Sequence, residues 1–373
     1  MIKLQHLIRE ISIKTTVNNQ YEVLTSSQNG IVSQEEYFNK QVASQNNIGY
    51  KIIKKGQFTY RSMSDTGKFY INRLITRDIG IVSPAYPVFE ISSPNLLPEY
   101  LELFFKSNLF QEQISNKSSG STRLALRYSK LESVLIPLPD LQSQQRIVDS
   151  IHTIEKIITQ ENRSLFLIDE LIQSRFVDLF SNYEKDIAPM NQICSICRGA
   201  SPRPISAYIT EDVDGVNWIK IGDVGENDIY ITHTDERITK AGAEKSRKVK
   251  PGDFILSNSM SFGRPYILGI HGCVHDGWLI ISDYEKRLNP IYFYYEIRSE
   301  FVQRQFDGSA SGSTVRNLNS DLVRKVLIHV PPMELQEKFS VFVGTVDKIK
   351  TNTQKRIRLY KEFLSKKMDE YFK

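Results

Sequence analysis

The 373-residue sequence is poor in cysteine: it has three, an odd number and too few for a disulfide framework, which suits a reducing compartment. It also lacks long hydrophobic runs. No stretch approaches the roughly 20 apolar residues of a membrane-spanning helix. The opening "MIKLQHLIREISIKTT" has neither the compact apolar core nor the small-residue cleavage site of an export signal. The expected location is the cytoplasm, with no membrane partner. Charge of one sign is scarce as well: 48 Lys and Arg stand against 43 Asp and Glu, a net +5 that permits an anionic partner without announcing one. With 40% hydrophobic and 24% charged residues, the composition is that of a folded chain long enough for two domains.

Several catalytic signatures are missing too. An N6-adenine methyltransferase needs Asp, Asn or Ser followed by Pro-Pro-aromatic to hold a flipped base. The one Pro-Pro pair, Pro331–Pro332, is flanked by Val330 and Met333. No Asp or Glu stands two positions before any lysine, the pattern with which a common restriction nuclease core binds metal and activates water. No Gly-Lys-Ser/Thr occurs to cradle ATP phosphates. The expectation is a chain without catalytic residues and without a cofactor of its own. Cys194 and Cys197 form a C-x-x-C, and His271, Cys273 and His275 cluster later, but a second C-x-x-C is absent. These are read as small buried cysteines at a strand end rather than a metal site.

What the sequence does have is a repeat. "SGSTRLALRYSKLESVLIPLPDLQSQQ" from Ser119 is echoed by "SGSTVRNLNSDLVRKVLIHVPPMELQE" from Ser311. The offset of 192 holds without a gap from Gly80 to Phe180, pairing Gly80 with Gly272, Pro98 with Pro290, Tyr100 with Tyr292, Gln113 with Gln305 and Pro139 with Pro331. Upstream it drifts by a few residues, yet "GQF" at Gly56 still meets "GDF" at Gly252, and "SMS" occurs at Ser62 and Ser259. Each copy opens with β-rich runs broken by Gly, Pro, Asn and Ser, then a proline-initiated short helix. Each closes with about forty residues nearly free of Gly and Pro, which predicts a long helix.

The helices carry a heptad-like seam. In the first it is Ile147, Ile151, Ile154, Ile158, Leu165, Ile168, Ile172 and Leu179, interrupted at Glu161 and Arg175. In the second it is Phe339, Val343, Val346, Ile357, Tyr360, Leu364 and Tyr371, interrupted at Lys350, Thr353 and Lys367. Residues 141–180 hold four basic against six acidic side chains and residues 333–373 ten against six, so opposite signs favour pairing of the two helices. The reading is a mixed α+β fold. A first globular domain spans 1–140, a central helix 141–183, a second domain 184–332 and a C-terminal helix 333–373.

"SGST", then "VLIPLPDLQSQQRIV", then a heptad helix ending "LIQSRFVDLF", present twice and in order, resemble the specificity subunits of type I restriction–modification enzymes. "RGASPRPI", "WIKIGDV" and "KPGDFILSNSMSFGRPYIL" resemble one class of that family's target-recognition domains. The resemblance implies two recognition domains, each binding half of a split DNA sequence, held apart by two antiparallel coiled-coil helices. It further implies double-stranded DNA and two modification (methyltransferase) subunits docked on the helices, with restriction (translocase and nuclease) subunits as further partners. Catalysis, with S-adenosylmethionine, ATP and Mg2+, would belong to those partners and none to this chain. The two domains differ outside the shared frame, so an asymmetric target is expected.

Candidate DNA contacts follow. "RSMSDTGK" supplies Arg61, Ser62, Ser64 and Lys68, and "NSMSFGR" supplies Asn258, Ser259, Ser261 and Arg264; recurrence at one place in two divergent domains favours a DNA-facing edge over plain polar loops. In "RGASPRPI", flanking prolines stiffen the chain around Arg203, with Arg198 and Ser201 nearby; the alternative is a solvent loop. The tetrapeptides place Ser119, Ser121 and Arg123, and Ser311, Ser313 and Arg316, either beside phosphates or in turn-capping loops. "EKSRKVK" (244–250) reads as a solvated face, and Trp218 and Trp278 as core.

Overall fold

The computed structural model describes residues 1–38, 46–115, 124–180, 183, 186–225, 228–258, 263–310 and 318–373. The chain divides into two compact units that do not follow the order of the sequence. One comprises Met1–Arg163 with Thr353–Lys373, the other Ser164–Asn352. Each unit thus holds one globular domain with the start of the long helix that follows it and the end of the other long helix. Those helices run Leu141–Phe180 and Met333–Tyr371. Among the described residues no helix is long and apolar enough to cross a membrane.

In the first unit the strand Val88–Ile91 lies between Ile8–Ile11 and Phe58–Thr59, all antiparallel, with Asn72–Arg73 beyond. In the second, Trp278–Ser282 lies between Ser195–Arg198 and Phe254–Ser257, and Pro265–Leu268 and Tyr230–Ile231 extend the sheet to five strands. The second unit adds another five-stranded sheet, Ile209–Thr210, Glu236–Ile238, Val216–Ile219, Gly272–Val274 and Arg247–Val249. In the first unit the described residues instead form the hairpin Leu24–Ser27/Gly30–Ser33 and the pair Lys51–Lys54/Ile79–Val82.

The repeat is legible contact by contact. Fully buried Gln144 accepts from the Leu97 N–H (2.9 Å) and donates to the carbonyls of Asn95 and Pro139 (both 2.8 Å). Fully buried Gln336 accepts from the Asn289 N–H (2.7 Å) and donates to Arg287 (3.0 Å) and Pro331 (2.7 Å). Each glutamine ties the first turn of a long helix to the loop ahead of the short helix, Pro98–Lys106 or Pro290–Ile297. Tyr100 donates to the Pro137 carbonyl as Tyr292 does to that of His329 (2.9 and 3.0 Å). Gln113 exchanges two bonds with Leu135, and Gln305 two with Leu327. The lysine-to-glycine turns repeat as well. The Lys54 N–H donates to Gln57 and the Lys250 N–H to Asp253, both 2.9 Å, around Gly56 and Gly252 at φ +88° and +92°, where a Cβ would be strained.

Inside each unit the two helix segments run antiparallel. In the first, Glu161 receives Arg356 at 2.8 Å on both carboxylate oxygens, and the buried Ile151, Ile154, Thr353 and Ile357 continue the seam. In the second, Lys350 meets Asp169 at 2.6 Å, above a core joining Ile172, Phe176, Phe180, Phe339, Val343 and Val346. Three of the seam's polar interruptions are thereby accommodated: Glu161 and Lys350 in cross-helix ion pairs, and Thr353 buried with its hydroxyl accepting from Arg356 (3.0 Å). Ile158, Leu165, Ile168, Tyr360 and Leu364 on the predicted seam are half-buried.

The heptad register fails towards the helix ends. Val148 is buried and Ile147 only half-buried; Phe176 and Phe180 are buried, whereas Leu179 is half-buried and Arg175 points out to Asp178. The cause is the surface each end meets. A seam between two helices has period 3.5, but a helix lying on a globular core buries a broader stripe of period 3.6. Phe180 stacks edge-on against Tyr292 (4.7 Å) and Phe372 tilts against Tyr100 (5.2 Å), one residue past the positions the seam predicted, Leu179 and Tyr371.

The cysteines also differ from expectation. Cys273 is buried, Cys194 half-buried and Cys197 exposed. The strand Ser195–Arg198 is a sheet edge, and its alternation turns Ile196 inward and Cys197 outward. Burial pushes the Cys194 thiol up to about 12, and its S–H donates to the Met190 carbonyl. Among the described residues no three His, Cys, Asp or Glu stand together as a metal-binding group. Trp218 and Trp278 are core residues. In 244–250, Lys248 pairs with Glu244 and Lys245 reaches the Tyr208 hydroxyl.

Candidate nucleic-acid interface

In the second domain, the segment after the edge strand is drawn against the turn between Gly272–Val274 and Trp278–Ser282. The Gly199 N–H donates to Trp278 (2.9 Å) and the Ala200 N–H to Val274 (3.1 Å). A Cβ on Gly199 would lie 2.1 Å from the His275 carbonyl oxygen, so glycine is required for the approach. This docking brings Ser201 and Arg203 to Asp276. The Ser201 hydroxyl donates to one Asp276 carboxylate oxygen at 2.7 Å, and the Arg203 guanidinium approaches the other at 3.3 Å. Arg198 Nε and Asn258 Nδ2 both donate to the Asp276 carbonyl, at 2.8 and 3.1 Å. The Ser201 hydrogen bond, with the positive charge of Arg203, holds the Asp276 carboxyl below its usual range against the opposing effect of partial burial. The Arg203 side chain is 79% exposed, and a pair so open to water contributes about 0–1 kcal/mol.

This pair helps line a cavity of about 630 Å³ together with Pro202, Pro204, Trp218, Lys220 and His275. Burial lowers the His275 pKa, and its Nδ1 accepts from the Gly277 N–H at 2.8 Å, which fixes that nitrogen as the unprotonated one. The Glu236 carboxylate, 2.6 Å from Lys220 Nζ, raises the lysine's pKa and holds it charged.

In the first domain Arg61, Ser64 and Lys68 line a cavity of about 300 Å³ together with Ser26, Ser27 and Gln28. The last three belong to the hairpin Leu24–Ser27/Gly30–Ser33, whose buried stem is fixed by Asn72, donating at 2.8 Å to the Ser26 hydroxyl and to the Ser27 carbonyl. Ser62 is half-buried, its carbonyl accepting from the Leu126 N–H at 2.9 Å. The equivalent bond in the second domain runs from the Leu318 N–H to the Asn258 carbonyl, also 2.9 Å, and Leu318 is Leu126 displaced by the repeat. In both domains, therefore, the chain downstream of "SGST" is tied to the segment of "SMS". Arg264 is half-buried at the entry to Pro265–Leu268. Ser119, Ser121, Arg123, Ser259, Ser261, Ser311, Ser313 and Arg316 lie outside the described residues.

Sequence reasoning missed the acid on which the second cluster converges and the hairpin that builds the first. Both carried signals: "HDG" between two apolar strands, and "SSQNG", a turn sequence with amide and hydroxyl side chains.

One frame built twice, carrying unlike polar side chains on its two copies, makes the chain a duplicated protein with two unlike domains. Comparison with known sequences gives it a family. Residues 9–166 and 184–360 each match the type I restriction modification DNA specificity domain. The chain belongs to that family. It is 25% identical over 271 residues, 66% of this chain and 67% of the other, to a putative type I restriction enzyme specificity subunit of Haemophilus influenzae, S.HindORF215P. It is 20% identical over 298 residues (73% and 67%) to the MjaIX specificity subunit of Methanocaldococcus jannaschii. Among solved structures, a chain from a study of complex assembly and conformational transition in a type I restriction–modification system has the same fold, with a TM-score of 0.69 at 17% identity over 100% of this chain and 97% of that one. The S subunit of M. genitalium superposes with a TM-score of 0.53 at 13% identity, covering 100% and 95%.

Proposed function

We propose that the chain is the DNA-reading subunit of a type I restriction–modification system, in which each globular domain reads one half of an asymmetric bipartite target. The observation that carries this is the recurrence of one polypeptide frame, hydrogen bond for hydrogen bond, under different polar side chains: Arg61, Ser64, Lys68 and Gln28 on one copy, Arg198, Ser201, Arg203, Asn258 and Asp276 on the other. Shared frame with divergent contacts is what reading two unlike half-sites in the same manner requires. The long helices set the spacing of the half-sites and carry two modification subunits, with restriction subunits joining that assembly. S-adenosylmethionine, ATP and Mg2+ are used by those partners, and the complex works on cytoplasmic DNA. Exposed apolar side chains along the helices, Phe166, Leu171, Val341 and Leu359 among them, suit protein partners there.

Methylation mapping of host DNA tests the reading. Replacing residues 184–332 with those of a relative should change one half of the methylated motif and leave the other intact; change in both halves, or in neither, would refute the assignment. Four residues inserted near Glu161 lengthen the first helix by about 6 Å, so the gap between half-sites should grow by about one to two base pairs at ~3.4 Å each. The half-site sequences should stay unchanged.

A further inference from the structure

Four side chains of the second domain singled out as DNA contacts, Arg198, Ser201, Arg203 and Asn258, all bond to Asp276. An acid on a surface meant for DNA repels phosphates, so its presence there needs a reason. Bracing alone does not supply one: Arg198 and Asn258 use the main-chain carbonyl, which any residue would offer. The carboxylate itself is committed to Ser201 and to Arg203, and it remains 40% exposed beside the guanidinium. Together the two side chains present a donor fork and an acceptor next to each other. In the major groove a G·C pair presents the complement, O6 and N7 acceptors on guanine and an N4 amino donor on cytosine.

We propose that Arg203 and Asp276 read one G·C pair of the second half-site as a unit, and that Asp276 makes Arg203 a base reader rather than a phosphate clamp. The guanidinium donates to guanine while the carboxylate accepts from the paired cytosine. On a phosphate the same carboxylate is repelled, so Arg203 adds little to non-specific binding. Ser201 is a positioning residue that fixes the carboxylate. The repeat puts Pro84 where Asp276 stands, so the first domain has no acid at that position. The proposal rests on the DNA-reading function above.

The test uses the complex of this chain with its modification subunits, as wild type, D276N, R203A and the double variant. The probes are duplexes carrying the mapped motif, single-pair changes of it, and a scrambled sequence, titrated over a range of salt. D276N retains an acceptor for Ser201. It should lower discrimination at one G·C pair at least tenfold and raise affinity for the scrambled duplex several-fold. It should also steepen the dependence of log K on log salt by about 0.9, the slope of one added phosphate contact. R203A should lose discrimination at the same pair, and the double variant should lose the extra scrambled-DNA affinity and the added slope. Scrambled-DNA affinity and motif both unchanged in D276N would overturn the proposal. So would a uniform loss on all duplexes with unchanged salt slope, or an R203A effect at no pair or at a different one. A wild-type complex that does not distinguish motif from scrambled DNA would overturn the DNA-reading function together with this inference.

Discussion

The first and second globular domains share their frame and differ in what they mount on it. Gln144 and Gln336, Tyr100 and Tyr292, and Gln113 and Gln305 make equivalent bonds 192 residues apart. Outside the shared frame the first domain has a hairpin and a small polar cavity, the second a five-stranded sheet and a cluster on Asp276. The lesson is that polar side chains here do two separable jobs. Amides that satisfy main-chain groups are tied to geometry and recur; the exposed groups are free of that constraint and diverge.

The comparison can be broken at its strongest point. Phe180→Ala and Phe372→Ala each empty an aromatic site at the end of a long helix, and each should cost about 3–5 kcal/mol, to equal extents if the frame is duplicated. Hydrogen exchange followed by mass spectrometry should confine the first loss to the second unit and the second loss to the first unit, although residue 372 is far from it in sequence. Losses in the reverse units would contradict the pairing of helix ends with domains. Next in size, Gln144→Ala and Gln336→Ala each strand a buried N–H and two carbonyls, at about 2–3 kcal/mol; thermal unfolding that separates these two variants widely would show that the clamps are not equivalent.

The divergent side chains should behave in the opposite way. Arg203→Ala should cost about 1–3 kcal/mol of base discrimination in the half-site of the second domain only, and Arg61→Ala should act only on the other half. Methylated-motif mapping reads both, and a variant that altered both halves would undo the assignment of one domain to one half.

The smallest effect concerns Gln57 and its counterpart Asp253. Asp253 is 4% exposed, and its Oδ1 has no partner among the described residues. Burial raises its pKa, so above that value the folded state holds a disfavoured charge. Asp253→Gln, which copies the first domain, should stabilise the second by about 1 kcal/mol at neutral pH. Because the folded-state pKa lies above the unfolded one, the penalty is full above the former and gone below the latter. The advantage of the variant should shrink as pH falls towards about 4; a constant difference from pH 7 to 4 in urea unfolding would rule this out.

The frame was legible in sequence wherever the repeat ran without gaps, because an unbroken offset carries each hydrogen bond onto its copy. The heptad pattern located both helices but not the side chains buried at their ends. Val148, Phe176 and Phe180 are buried by globular cores, and a pattern within one helix holds no record of such a surface. Arg61, Ser64 and Lys68 were singled out by a loop that recurs in both copies, and Ser201 and Arg203 by the prolines that stiffen their segment. Asp276 was not, since looking for cations and hydroxyls passes over the acid that organises them, and Gln28 sits in a hairpin that the repeat does not contain.

Phe372 packs against Tyr100 and Phe104, partners made more than 250 residues earlier. During translation, at roughly 5–20 residues per second, the domain synthesised first waits on the order of tens of seconds for the residue that completes its core. The second domain draws on Phe180, already made, and Phe339, and can close sooner. Order of synthesis and order of completion are therefore inverted, and the N-terminal half is the part that chaperones would have to shield on the ribosome.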